Sequence, residues 1–199
     1  MPHAGGGGIV VQLTAGFALC GSFCTIDRVL GVMERMAKDG WNLLPIVSET
    51  VGTTDTRFGA ARDTLDAVTH ICGTAPMRTL QDVEPIGPQG MLDVLIVAPC
   101  TGSTLARLAH GLSDTPVSLA AKSQLRVERP VVLALSSNDA LAASAPNLAA
   151  LLNRKHCYFV PMRQDAPHVK PRSLVAVMEN IPETARAAVE GRQIQPIFL

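Results

Sequence analysis

The sequence predicts one α/β domain in which a doubly wound parallel sheet lies between two layers of helices. Three observations predict it. Continuous apolar runs rich in β-branched residues alternate along the chain with segments of helical period. Several of those runs are apolar on both faces, as strands covered by helices on both sides must be. The length, 199 residues, is ordinary for one domain and short for two.

The elements follow in order. The Gly5-Gly6-Gly7-Gly8 run reads as a flexible lead-in covering residues 1–8. Residues 9–13 read as a buried strand, with 16–22 continuing it to its loop. A helix begins near Thr25, with Ile26, Val29, Leu30, Met33 and Ala37 on one face. Gly40 is placed to end it. Residues 41–47 form a second strand and 48–59 a loop. A helix covers 60–70, and 86–90 is a turn. The clearest strand is 92–98, ended by Pro99. Helices at 103–110 and 116–125 precede a strand at 131–135. A helix at 146–154, a short strand at 157–160 and a last helix within 173–189, broken near Pro182, complete the chain. Together these elements predict a three-layer α/β/α sandwich of flavodoxin-like, Rossmann-like type.

Composition narrows the function. Aromatics are 4% of the chain while apolar residues are 47%, so aliphatic side chains must fill the core. Lys plus Arg equals Asp plus Glu at 17 each, and that balance gives no reason to expect nucleic acid or an anionic membrane as partner. Zero net charge protects poorly against self-association and favours a homo-oligomer. The cysteines, Cys20, Cys24, Cys72, Cys100 and Cys157, are odd in number and lack zinc spacing, so they read as buried structural thiols with no metal site. No run approaches the length of a membrane span, and residues 1–8 lack the apolar stretch of a signal peptide. A cytoplasmic protein is expected.

In doubly wound folds ligands bind at the carboxyl ends of the strands. Three loops there carry small polar residues. The first is Cys20-Gly21-Ser22-Phe23-Cys24-Thr25. Gly21 permits close backbone approach, Ser22 and Thr25 offer hydroxyls, and the next helix presents free N–H groups. Its spacing is neither the dinucleotide fingerprint nor the P-loop, and a plain helix cap explains it as well. The second is Pro99-Cys100-Thr101-Gly102-Ser103-Thr104, whose three hydroxyls exceed what one cap needs. The third, Ser136-Ser137-Asn138-Asp139, reads alone as an ordinary turn. A parallel sheet brings all three to one edge.

The second loop, with Ala106 and Ala109-His110-Gly111 after it, resembles the Pro-Ala-Ser-Ala-Asn-Thr loop of the homo-oligomeric flavin-containing cysteine decarboxylases, members of the flavoprotein family. That resemblance implies FMN, held at Gly21, Ser22, Thr25, Ser48, Pro99, Thr101, Gly102, Ser103, Thr104, Ser136, Ser137 and Asn138. A longer series is similar to the family of dipicolinate synthase B subunits. It includes Thr54-Asp55-Thr56-Arg57-Phe58-Gly59, Asp114-Thr115-Pro116-Val117, Ala120-Ala121-Lys122, Arg129-Pro130-Val131, Ser137-Asn138-Asp139-Ala140-Leu141, Pro171-Arg172-Ser173-Leu174 and Gln193-Ile194-Gln195-Pro196-Ile197. This resemblance implies formation of pyridine-2,6-dicarboxylate from a dihydrodipicolinate precursor, together with the nicotinamide-dependent A subunit of dipicolinate synthase, in the mother cell of a spore former. The decarboxylases place a catalytic His after strand two. Here Ser48, Glu49, Thr50 and Thr53 stand there, with no His between strand two and His70, so cysteine decarboxylation is not expected and no catalytic residue is assigned. The alternatives are a flavin-free, non-catalytic partner subunit, or another FMN-dependent decarboxylase or prenyltransferase.

A dicarboxylate calls for cations, with Arg best for two-pronged contact. Arg57, with Asp55 to orient it and Phe58 to pack on, is the first candidate and Lys122 the second, with Arg163 behind them. His110 and His168 read as structural or exposed. Pro161-Met162-Arg163-Gln164-Asp165-Ala166-Pro167-His168 has no regular period and reads as a flap or a docking surface.

Overall fold

The computed structural model describes residues 12–199. The predicted lead-in and most of the predicted strand at 9–13 lie outside them. The first described strand is β1, Thr14–Leu19, and β2, Asn42–Val47, pairs parallel to it. The strands β3, Val94–Cys100, and β4, Val131–Ser137, continue the parallel sheet on the other side of β1. The chain thus runs outward from β1 to β2, then returns across β1 to β3, and strand order reverses there. The strand β5, Cys157–Phe159, pairs parallel with the first half of β4. A ribbon of β6, Met162–Gln164, and β7, Leu174–Ala176, pairs antiparallel with its end. The seven-stranded sheet is therefore mixed.

Alternation along the strands divides the core between the two faces. Val94, Ile96 and Ala98 of β3 pack toward α1 (Ile26–Lys38), α3 (Ala61–Cys72) and α8 (Ile181–Val189). Leu95, Val97 and Cys100 pack toward α5 (Gly102–Ala109), α6 (Pro116–Arg126) and α7 (Ala145–Leu152). Phe17 and Phe159 are the largest fully buried side chains, and aliphatic residues fill the rest.

The structure corrects several boundaries. The first strand lies at Thr14–Leu19, because the position between β2 and β3 outweighs the low strand propensity of Ala15 and Gly16. The predicted loop 48–59 contains a short helix, α2, Glu49–Thr53, capped by the Ser48 hydroxyl accepting the Val51 N–H at 3.3 Å. The short helix α4, Leu80–Val83, leads into the predicted turn, with Thr79 and Asp82 forming a capping box. Pro99 lies inside β3, where the β3–β4 register shifts between Val97 and Cys100 and no amide is missed. The aperiodic segment 161–168 contains β6, and the predicted helix 173–189 begins with β7. Pro182 starts α8 instead of breaking it, since a helix's first turn has no use for that N–H.

Candidate functional site

Helix starts set the first two loops, and the third opens at the end of β4, which includes Ser136 and Ser137. Thr25 closes the turn after β1 by donating its hydroxyl to the Ser22 carbonyl at 2.8 Å. Thr101 caps α5, its oxygen accepting the Thr104 N–H at 3.2 Å. The Thr104 hydroxyl accepts from Thr101 at 3.1 Å and donates to the Cys20 sulfur at 3.3 Å, tying the loop after β3 to the loop after β1. Burial is the main cause that pushes the Cys20 thiol up to about 11. Cys20 and Cys100 are buried structural thiols as expected, but Cys72 and Cys157 are only half-buried and Cys24 is exposed.

Ser22 and Ser136 meet hydroxyl to hydroxyl at 2.8 Å, joining the loop after β1 to the end of β4. Around them opens a polar cavity of about 340 Å3, lined by Ser22, Thr25, Ser136, Ser137 and Asn138 together with Cys24, Arg28, Asp165, Lys170 and Ser173. A second cavity of about 390 Å3 is lined by Thr101, Gly102, Ser103, Ser137, Asp139, Ser144 and Asn147. Ser137 lines both. The predicted residues of all three loops therefore gather at the carboxyl edge of the sheet. Gly21 lies against α2, where an added Cβ would stand 3.0 Å from the Thr50 methyl. Ser48 serves as the α2 cap, and Pro99 is buried within β3.

Charge is arranged around these hydroxyls. Asp139 accepts Ser137 Oγ at 2.6 Å and Ser144 Oγ at 2.9 Å, and those bonds hold its carboxyl below the usual carboxylate range. Gly102 makes room for this cluster: a Cβ there would stand 2.9 Å from both serine oxygens. Lys170 donates to Asp165 at 2.8 Å, which raises the pKa of the lysine. Arg28 holds both oxygens of Glu179 at 3.0 and 2.9 Å.

Arg57 and Lys122 line neither cavity. Asp55 accepts the Ala61 N–H at 2.8 Å and so caps α3, while Arg57 stacks over the Phe58 ring at 4.8 Å. Lys122 donates to Ser113 at 3.3 Å and lines a separate cavity. Arg163 is exposed on β6. The cations beside the hydroxyls are instead Arg28 and Lys170. Arg28 follows Thr25 by three residues and so shares its face of α1, a relation visible in the sequence. Lys170 comes from an irregular segment that carries no such signal. Among the described residues, no group of three or more His, Cys, Asp or Glu is placed to hold a metal.

Comparison with known proteins identifies the family. The family model described as Flavoprotein matches residues 15–165. The B subunit of dipicolinate synthase from Bacillus subtilis is 38% identical over 184 residues, 92% of each chain. The crystal structure of the dipicolinate synthase B subunit from Bacillus halodurans superposes with a TM-score of 0.86 at 41% identity, covering 94% of this chain and 96% of that one. The FMN-dependent cysteine decarboxylase SpaF shares the fold, with a TM-score of 0.66 at 21% identity over 90% of this chain and 98% of its own. The chain belongs to the flavoprotein family, within the group of dipicolinate synthase B subunits.

Proposed function

We propose that this flavoprotein-family chain acts as one domain, as the B subunit of a dipicolinate synthase. It works with a nicotinamide-dependent A subunit to form pyridine-2,6-dicarboxylate from a dihydrodipicolinate precursor during sporulation, in the mother-cell cytoplasm. The observation that carries this reading is its 38% identity to the Bacillus subtilis protein along 92% of both chains. Zero net charge is consistent with a homo-oligomer.

The donor set of the site fits FMN. A phosphate ester suits the hydroxyls of Ser22, Ser136 and Ser137 with Arg28 and Lys170 nearby. Thr101, Gly102 and Ser103 at the start of α5, with Asn138, offer polar groups to a ring edge. When bound, FMN supplies a two-electron acceptor suited to aromatising a dihydropyridine. The chain's own groups bind and orient: the Ser22–Ser136 pair presents hydroxyl protons, and Arg28 and Lys170, held by Glu179 and Asp165, line the same cavity.

A flavin-free partner subunit is the second reading. The residues after β2 favour it, because Ser48, Glu49 and Thr50 are spent on starting α2 and supply no His. Titrating the purified protein into FMN separates the two. The flavin reading expects saturable quenching of flavin fluorescence at micromolar protein, weakened by Ser22→Ala. Absence of quenching at tens of micromolar contradicts it and favours the second. Deleting the gene tests the pathway assignment, with loss of dipicolinate from spores expected and unchanged dipicolinate refuting it.

A further inference from the structure

A cavity of about 510 Å3 opens at the other end of the sheet, where α5 and α6 finish and β5 begins. Its volume is within the range of small-molecule sites, about 300–1,000 Å3. Leu108 and Leu125 give it an apolar floor, with the exposed Leu112 at its edge. Its rim carries four basic side chains, Lys122, Arg126, Arg154 and Lys155, against a single acid, Glu128, with His156 beside them.

Partners already on the page account for some of these charges. Lys155 lies 3.8 Å from Glu128, and Arg154 donates to the Leu108 and Ala109 carbonyls at 2.8 and 3.1 Å, capping α5. Lys122 and Arg126 stand four residues apart on one face of α6, and among the described residues neither has an acidic partner. His156 adds an independent sign. Its Nε2 atom is buried without a hydrogen-bond partner, and its backbone holds a left-handed φ of 65°. Buried polar atoms are normally paired, and non-glycine residues with positive φ gather at ligand sites.

We propose that this cavity binds a small amphipathic carboxylate. Its acid group sits with the exposed Lys122 and Arg126, while its hydrocarbon body covers Leu108, Leu112 and Leu125. The site is separate from the Ser22–Ser137 cavities and stands whether or not the synthase reading holds.

Isothermal titration of the full chain with octanoate tests the assignment, with octanol and acetate as probes of each half of the ligand. One octanoate per chain is expected, with octanol and acetate at least about tenfold weaker. Lys122→Glu combined with Arg126→Glu weakens octanoate by at least about tenfold, as does Leu112→Arg, while thermal unfolding stays unchanged because these side chains are exposed. Ser22→Ala leaves octanoate binding as it was. No saturable octanoate binding, equal binding of octanol, or indifference to both sets of variants overturns the proposal.

Discussion

Asp139 draws hydroxyl donors from two elements, Ser137 at the end of β4 and Ser144 just before α7. These bonds favour the ionised carboxylate and depress its folded pKa, with Ser137 the larger cause. A depressed carboxylate stabilises the fold above its unfolded pKa, near 3.9, and that stabilisation is lost as pH falls through the folded value. Urea unfolding of wild type and Asp139→Asn should therefore differ most above about pH 4 and converge below it. A pH-independent difference contradicts this role. Gly102 belongs to the same cluster. Gly102→Ala pushes a methyl to within 2.9 Å of both serine oxygens, so the hydroxyls must turn away from Asp139. A loss of about 1–2 kcal/mol in chemical denaturation is expected. The sequence puts Ser136 and Ser137 in a loop after a strand at 131–135, whereas β4 runs on to Ser137. The role of Asp139 was not legible, because Ser144 reaches it only through the turn that folds back after β4.

At the scale of elements, the apolar strands and periodic helices were legible because each carries its own signal. Val131-Val132-Leu133-Ala134-Leu135 needs no partner to be recognised. β6 and β7 are three residues each and have no alternation long enough to read; they exist because the end of β4 offers an unpaired edge. β1 shows the same dependence in a buried setting. Gly16 is tolerated there because Leu92 and Leu95 fill the space its side chain would take. In Gly16→Ala the new Cβ would stand 2.5 Å from Leu92 Cδ1 and 3.0 Å from Leu95 Cδ1. Overpacking of this kind costs about 1–3 kcal/mol, read as a lower thermal midpoint with unchanged secondary structure. An unchanged midpoint means that the two leucines repack without strain.

At the scale of the molecule, the sheet collects loops from distant parts of the chain at one edge, and that convergence follows from strand order alone. It was legible without any partner or ligand. Of the cations, Arg28 was legible from its spacing to Thr25 on α1, whereas Lys170 reaches the cavity from an irregular segment that carries no such signal; the sequence pointed instead to Arg57 and Lys122. The synthase reading concerns the whole chain and is tested as such by reconstitution with a nicotinamide-dependent A subunit. Pyridine-2,6-dicarboxylate is measured as it forms from the dihydro precursor, with and without this chain. Product that appears only when the two proteins are present together is the result predicted here; the same rate without this chain would contradict it.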